Sequence, residues 1–452
     1  MNMQSMPIEF EFLPIESINL EQSEINQAIE LSDKIPDASR QWETYLNTLG
    51  LFTFKKWLEE HDNNLKLNWD KSTIAKPSLA NLIPNVANLQ VGEFKLCLLT
   101  IGSLFEEKVP LSRAVVESPE FVPHFYVLVE VLEEQECGVV RGVISYPQLM
   151  ENIETLRTQS IESSWTYEIP LTWFKDNPNF LLLCLLTLDY EAICLPSLAS
   201  NIVTTRKEQL TSIKSELSKL LPQLQSPEKE LSQVLSWEQG GVILSYPELV
   251  DWIYKLQTNN LETQSFSSLE KYLSDLIKLI TQPAINIGRW LWDELDEVGK
   301  ELSWSLLPKF ASVRELRSPE EEFDAIKSQL EAQGLEVPLM SRGGYINFAL
   351  AGVSLRLYAT AWNSSSEDYP DSWSLLLIVG APLLNTLPDN FKFRVSDTNC
   401  ILVEQSVNPQ EMQPYLYTLV SGNWHEKFIV SASLGDTIDM NLPPFQFDIT
   451  KI

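Results

Sequence analysis

Histidine is scarce in this chain of 452 residues: three in all, His61, His124 and His425, no two of them close in sequence. With no HExxH and no CxxC, zinc sites of recognisable spacing are excluded. Glycine is thin as well, at 16 residues. The pairs Gly240-Gly241 and Gly343-Gly344 are not followed by the lysine and helix start that a phosphate-cradling loop needs, and no nucleophile elbow is present. Long apolar runs are missing: the longest, Phe180 to Leu188 (FLLLCLLTL), falls far short of the roughly 20 residues that span a bilayer. The opening MNMQSMPIEFEFLPIES is acidic and has no apolar core of leader length. Basic residues are outnumbered, 33 against 62 acidic, for a net charge of -29. That excludes direct nucleic-acid binding, which needs Lys and Arg clusters for phosphate. The acidity is diffuse: from Ser303 onward there are 18 acidic and 10 basic residues, and the remaining -21 is spread over twice the length. It reads as a solvated acidic surface, or as attraction to a basic protein partner. The five cysteines, Cys97, Cys137, Cys184, Cys194 and Cys400, are odd in number and mostly sit in apolar runs. They suit buried thiols in a reducing compartment, not a disulfide framework. The expectation is a cytoplasmic protein with no membrane contact.

What is present is organised around Val109 to Leu149. His124 to Glu133 (HFYVLVEVLE) reads as a buried strand, Gln135 to Gly138 as a turn and Val139 to Ser145 as a second strand. Ser145 as a cap, Pro147 in the first turn and the stripe Leu149, Met150, Ile153 predict a helix next. Phe94 to Ile101 reads as a third strand of the same sheet. Arg113, Glu117 and Glu120 decorate the connector between them.

Upstream, Ile18 to Asp62 reads as helical, with Asp37 as a cap, a stripe of Trp42, Tyr45, Leu46, Leu49, Trp57 and Leu58, and a break at Gly50. Leu65 to Trp69 and Trp165 to Phe174 read as strands; the apolar run after Asn179 is strand or buried helix. From Arg206 to about Leu306 the pattern is helical, with seams Leu210, Ile213, Leu217, Leu220 and Phe266, Leu269, Leu273, Leu276, Ile280, and a third helix from Asn286 to Leu302. Val143 to Leu149 (VISYPQL) is echoed by Ile243 to Leu249 (ILSYPEL), as a duplicated strand-to-helix unit or as two junctions with the same capping chemistry; little around them aligns. Ser318-Pro319-Glu320-Glu321 opens one more helix, closed by Gly334. From Val337 onward, short alternating segments recur at sandwich-like intervals.

Few constellations carry chemistry. Cys97 and Cys137 lie in the same sheet region as His124, but a thiolate in an apolar run is costly, so a structural histidine is the expectation. Glu367, Asp368 and Asp371, in the loop Asn363 to Asp371, are candidate calcium ligands or a solvated loop. Asp293, Glu294, Asp296 and Glu297 read as an exposed charged face. Trp362, Trp373 and Trp424, if exposed, would form a ligand platform.

The run RAVVESPEFVPHFYVLVEVLEEQ with Gly142 and Leu149, the IPLTWF segment, NIGRWLWDELDEVG and EKFIVSASLG together resemble a cyanobacterial family known as domain of unknown function 1822. The resemblance spans nearly the whole chain and carries no catalytic residues. It implies company with sigma factors and caspase-like signalling proteins.

The fold expected is α+β: N-terminal helices with a small antiparallel sheet (1–200), a helical middle region (201–335) and a C-terminal β-sandwich (336–452). The function expected is that of a non-enzymatic regulatory or adaptor protein with a protein partner, a basic one suiting the charge, and no cofactor or metal. The alternatives are an enzyme with a cleft site, or a small-molecule or glycan-binding sandwich. Trp362, Trp373, Trp424, Glu367, Asp368 and Asp371 are the candidate partner or ligand surface.

Overall fold

A computed structural model describes residues 16–102, 107–157, 164–197, 200–258, 265–308, 318–382, 386–408, 410, 412–435 and 438–449. The leader reading of the opening rests largely on residues 1–15, which lie outside these. The chain forms two compact units, Met1–Thr263 and Gln264–Ile452. The helical stretch drawn from sequence as one middle region is therefore shared between them.

The first unit contains strands β1 (Ile18–Asn19), β2 (Leu67–Asn68), β3 (Val86–Val91), β4 (Phe94–Ile101), β5 (Lys108–Ser112), β6 (Phe125–Leu132), β7 (Cys137–Ser145) and β8 (Thr166–Pro170). Its helices are α1 (Gln22–Ser32), α2 (Ala38–His61), α3 (Pro77–Ala80), α4 (Ala114–Glu117), α5 (Tyr146–Arg157), α6 (Asn179–Thr187), α7 (Ser200–Leu224), α8 (Leu231–Val234), α9 (Trp237–Leu244) and α10 (Pro247–Gln257). Six strands pair in the order β1-β7-β6-β4-β3-β2. The sheet is mixed, not antiparallel as expected, because β4 and β6 run parallel. A parallel pair needs a crossover, and the connector with β5 and α4 supplies it; β5 itself pairs with β8.

Helix α2 lays Leu51, Phe54, Trp57 and Leu58 against Leu96, Leu98, Phe125 and Val127 of the sheet. Asp37 caps it by accepting from the Arg40 amide at 2.9 Å. Gly50 does not break the helix. It lies inside α2, where a Cβ would come 2.6 Å from Thr100 Oγ1, so its missing side chain lets helix and strand approach.

The two SYP segments have different structures. The first joins strand β7 to helix α5, with the Gln148 side chain accepting from the Ser145 amide at 3.2 Å and hydroxyl at 3.0 Å. The second joins helix α9 to helix α10. Ser245 there turns its hydroxyl back to the Gly241 carbonyl at 2.9 Å. Only Tyr-Pro at the helix start is common, which fits shared capping chemistry. Helix α10 is tied to α3 by Ser78 Oγ donating to Asp251 at 2.6 Å and Asn81 Nδ2 donating to Gln257 at 2.5 Å.

The second unit contains α11 (Phe266–Thr281), α12 (Glu297–Glu301) and α13 (Pro319–Ala332). Its strands are β9 (Ile285–Asn286), β10 (Ser305–Leu306), β11 (Arg342–Leu350), β12 (Val353–Asn363), β13 (Ser372–Gly380), β14 (Phe391–Ser396), β15 (Ile401–Ser406), β16 (Tyr415–Asn423), β17 (Lys427–Leu434), β18 (Ile438–Asn441) and β19 (Phe445–Gln446). One sheet runs β10-β11-β12-β13-β16; the other runs β15-β14-β17-β19-β9, with β18 on β17. Leu357, Leu375 and Leu377 of the first sheet and Phe391, Phe393 and Phe428 of the second belong to one apolar cluster.

The expected helix from Asn286 to Leu302 is a 3-10 turn, Ile287–Trp292, that ends where Asp293 takes a left-handed conformation (φ 62°), followed by short α12. Asp296 is not on an exposed face: it is buried, accepts from the Gly299 amide at 2.9 Å and the Asn286 amide at 2.7 Å, and starts a new helix instead of continuing one. The two leucine seams lie in different units, α7 in the first and α11 in the second, so they are not two halves of one hairpin.

Candidate functional site

The tryptophans named as a platform are packed inside. Trp373 is fully buried, stacks on Phe447 with ring centroids 5.4 Å apart, and donates from Nε1 to the Asn423 carbonyl at 2.9 Å. Trp362 is buried against Phe323 and Ile326, and Trp424 is half-buried on the apolar cluster shared by the sheets. A glycan platform of exposed tryptophans is thereby excluded. Glu367, Asp368 and Asp371 are all exposed, and among the described residues they form no group that would hold a metal ion.

His124 enters β6 beside Lys95, whose amide donates to Nδ1 at 2.8 Å. Burial holds the imidazole below its ordinary pKa, the Lys95 charge adds to this, and the backbone hydrogen bond opposes both. Cys97 pairs in register with Tyr126, whereas the His124 ring lies against Phe94 and Tyr190, with centroids 5.4 and 6.3 Å away. The thiol is fully buried and pushed far up by burial, and its hydrogen bond goes to the Leu98 carbonyl at 3.9 Å. Cys137 sits at the other end of the strand pair, opposite Leu132. No Cys–His couple is assembled among these residues.

Arg141 is the extra residue of a β-bulge: Leu128 faces Gly142 while Val129 faces Val140. A bulge re-aims its side chain, and here the guanidinium turns to buried Glu130, donating from Nε at 2.7 Å. Arg141 lines a cleft of about 750 Å³ together with Lys108, Leu171, Phe174 and Asp176. Gly142 is required here, because a Cβ would come 2.8 Å from the Lys175 carbonyl.

The segment beyond the cleft leads into α6, the apolar run whose structure the sequence left open. Leu181 is buried against the sheet, but Leu183 and Leu186 are 58% and 56% exposed, and Leu188 and Tyr190 follow them at the surface. Glu191, which accepts from the Tyr190 hydroxyl at 3.3 Å, does most to raise its pKa, and burial and the charges of Glu93 and Asp189 add to this. An apolar surface with carboxylates beside it thus lies on the first unit. Sequence reasoning saw the leucines but had no means to tell which of them the sheet covers.

The family model described as protein of unknown function (DUF1822) matches residues 18–442. The chain belongs to this family. No curated protein and no solved structure matches it. Within this DUF1822 chain, the RAVVESPEF stretch builds a polar knot. Arg113 Nε donates to Glu117 at 2.9 Å, the guanidinium lies over the rings of Tyr167 and Trp237 at 5.6 and 5.2 Å, and Trp237 Nε1 donates to Glu117 at 2.8 Å. The Tyr167 hydroxyl donates to the same carboxylate. Burial works to raise the Glu117 carboxyl, but the hydrogen bonds and the Arg113 charge outweigh it and hold the pKa below the ordinary value. The knot joins α4, β8 and α9, three elements far apart in the chain.

Among the described residues no helix is long and apolar enough to cross a membrane. All five cysteines are free, and Cys194 is exposed.

Proposed function

We propose that the protein is a non-enzymatic regulatory or adaptor protein of the cytoplasm, and that it binds a basic partner protein through α6 and its acidic rim. The observation that carries this reading is the exposure of Leu183 and Leu186 on a helix whose sequence is almost wholly apolar. Apolar surface rimmed by charge marks interaction sites. Glu93, Asp189 and Glu191 supply the negative rim, so the complementary surface is an apolar patch flanked by Lys and Arg. A nucleic-acid-binding partner such as a sigma factor has that chemistry, which agrees with the family resemblance; a caspase-like signalling protein is the second class. Five free thiols support a reducing compartment. In the same reading the two sheets of the second unit face one another as a β-sandwich, supported by their shared apolar cluster.

The test compares tagged wild type with the double variant Leu183→Glu, Leu186→Glu in pull-downs from the native host. Both positions are exposed, so the fold is retained. The expected result is a stoichiometric basic protein held by wild type, released at high salt and absent with the variant. Capture of the same proteins by both forms overturns the reading.

A further inference from the structure

Helix α13 crosses the outer face of β11 and β12, with Phe323, Ile326 and Leu330 packed on Tyr358 and Trp362. Beside that contact lies a cavity of about 430 Å³. Its wall is one face of the helix, Glu320, Phe323, Asp324 and Lys327, at the i, i+3, i+4, i+7 spacing that puts side chains in line. Its floor is the register pair Gly343 and Thr360.

Thr360 is 2% exposed, and its hydroxyl has no hydrogen-bond partner among the described residues. Leaving such a group unpaired is destabilising, and an orphan of this kind calls for an external partner. Gly343 leaves room beside this buried hydroxyl: a Cβ there would stand 2.7 Å from Thr360 Oγ1. At the rim, Arg342 Nε also lacks a hydrogen bond, and its ion-pair partner Asp293 stands 3.5 Å away.

We propose that this cavity is a binding site for a small neutral polyhydroxylated molecule, of the size and chemistry of a mono- or disaccharide or a cyclitol. The lining carries both signs, Glu320 and Asp324 with Lys327 and Arg342, and both cations are already engaged, Lys327 with Glu331 at 3.7 Å and Arg342 with Asp293 at 3.5 Å, so the site is not built to hold an anion. Acceptors, donors and an orphan hydroxyl set around Phe323 match a ligand with many hydroxyl groups and one apolar ring face. The volume is within the range of small-ligand pockets. This site is independent of the α6 surface and lies in the other unit.

The test uses the full chain, with D-glucose, sucrose and myo-inositol as probes and inorganic phosphate, glutamate and glycine betaine as charged controls, read by saturation-transfer NMR and calorimetry. At least one neutral probe is expected to bind saturably. Thr360→Val is expected to weaken that binding about tenfold with unchanged or higher Tm, since it removes an unpaired hydroxyl. Asp324→Asn, at an exposed rim position, is expected to weaken it without touching the core. The proposal is overturned if none of the three neutral probes binds, if only a charged control binds, or if both variants bind as wild type does.

Discussion

Arg394 and Asp275 meet inside the second unit through two hydrogen bonds, 2.8 Å from Nε to Oδ2 and 3.2 Å from Nη2 to Oδ1. Asp275 is wholly buried and Arg394 nearly so. The carboxylate also accepts from Ser396 at 3.0 Å, Ser431 at 3.1 Å and Asn441 at 3.1 Å. A helix residue is thereby fastened to three strands, and its charge is matched by five donor atoms. Nothing in the amphipathic pattern of α11 announces this, since Asp275 interrupts an apolar stripe.

Removing Asp275 strips the buried Arg394 of its two-bond partner and leaves it the longer ion pair to partly exposed Glu404, at 3.6 Å. Asp275→Ala is expected to destabilise the second unit by about 3–5 kcal/mol, read as a fall in its urea midpoint. A change below about 1 kcal/mol would show that water reaches Arg394.

Gly240 faces the ring of Trp165, whose Nε1 donates to the Leu235 carbonyl at 2.9 Å. Because that indole is anchored, a Cβ at position 240 has no free space. Gly240→Ala is expected to cost about 1–3 kcal/mol through overpacking, although alanine favours helix. A stabilised variant, by thermal unfolding followed in the far-ultraviolet, would place Trp165 elsewhere.

Burial lowers the pKa of His124, and the Lys95 charge adds to this. Its folded pKa lies below the ordinary value of about 6.5, so at acid pH the unfolded chain binds the extra proton. Stability is then fully present above about pH 6.5 and declines as pH falls from there through the folded pKa. Imidazole titration by NMR is expected to find His124 below the ordinary histidine value. His124→Gln is expected to flatten the stability profile on the acid side of about pH 6.5. An unshifted titration curve would contradict this account.

Ser318 accepts from the Glu321 amide at 3.3 Å at the start of α13, with Pro319 in the first turn. Ser318→Ala is expected to cost about 1 kcal/mol and Ser318→Asp to be nearly neutral, as measured by denaturant midpoints.

Local chemistry was legible wherever a few adjacent residues decide the structure. The cap at Asp37, the Ser-Pro-Glu start of α13, its end at Gly334 (φ 96°) and the strand–turn–strand from Phe125 to Ser145 follow from side chains within a turn of one another. Membership of the family was legible too, because its segments are stretches of sequence. Tertiary structure decided the rest, for one physical reason: burial and partner depend on what another part of the chain brings. Gly50 reads as a break until Thr100 lies against it. Two nearly identical SYP segments follow a strand in one place and a helix in the other. Three tryptophans have the composition of a platform, and packing turned two of them fully inward. The leucines of α6 form one uniform apolar run, and only the sheet beneath Leu181 determines that Leu183 and Leu186 remain in water.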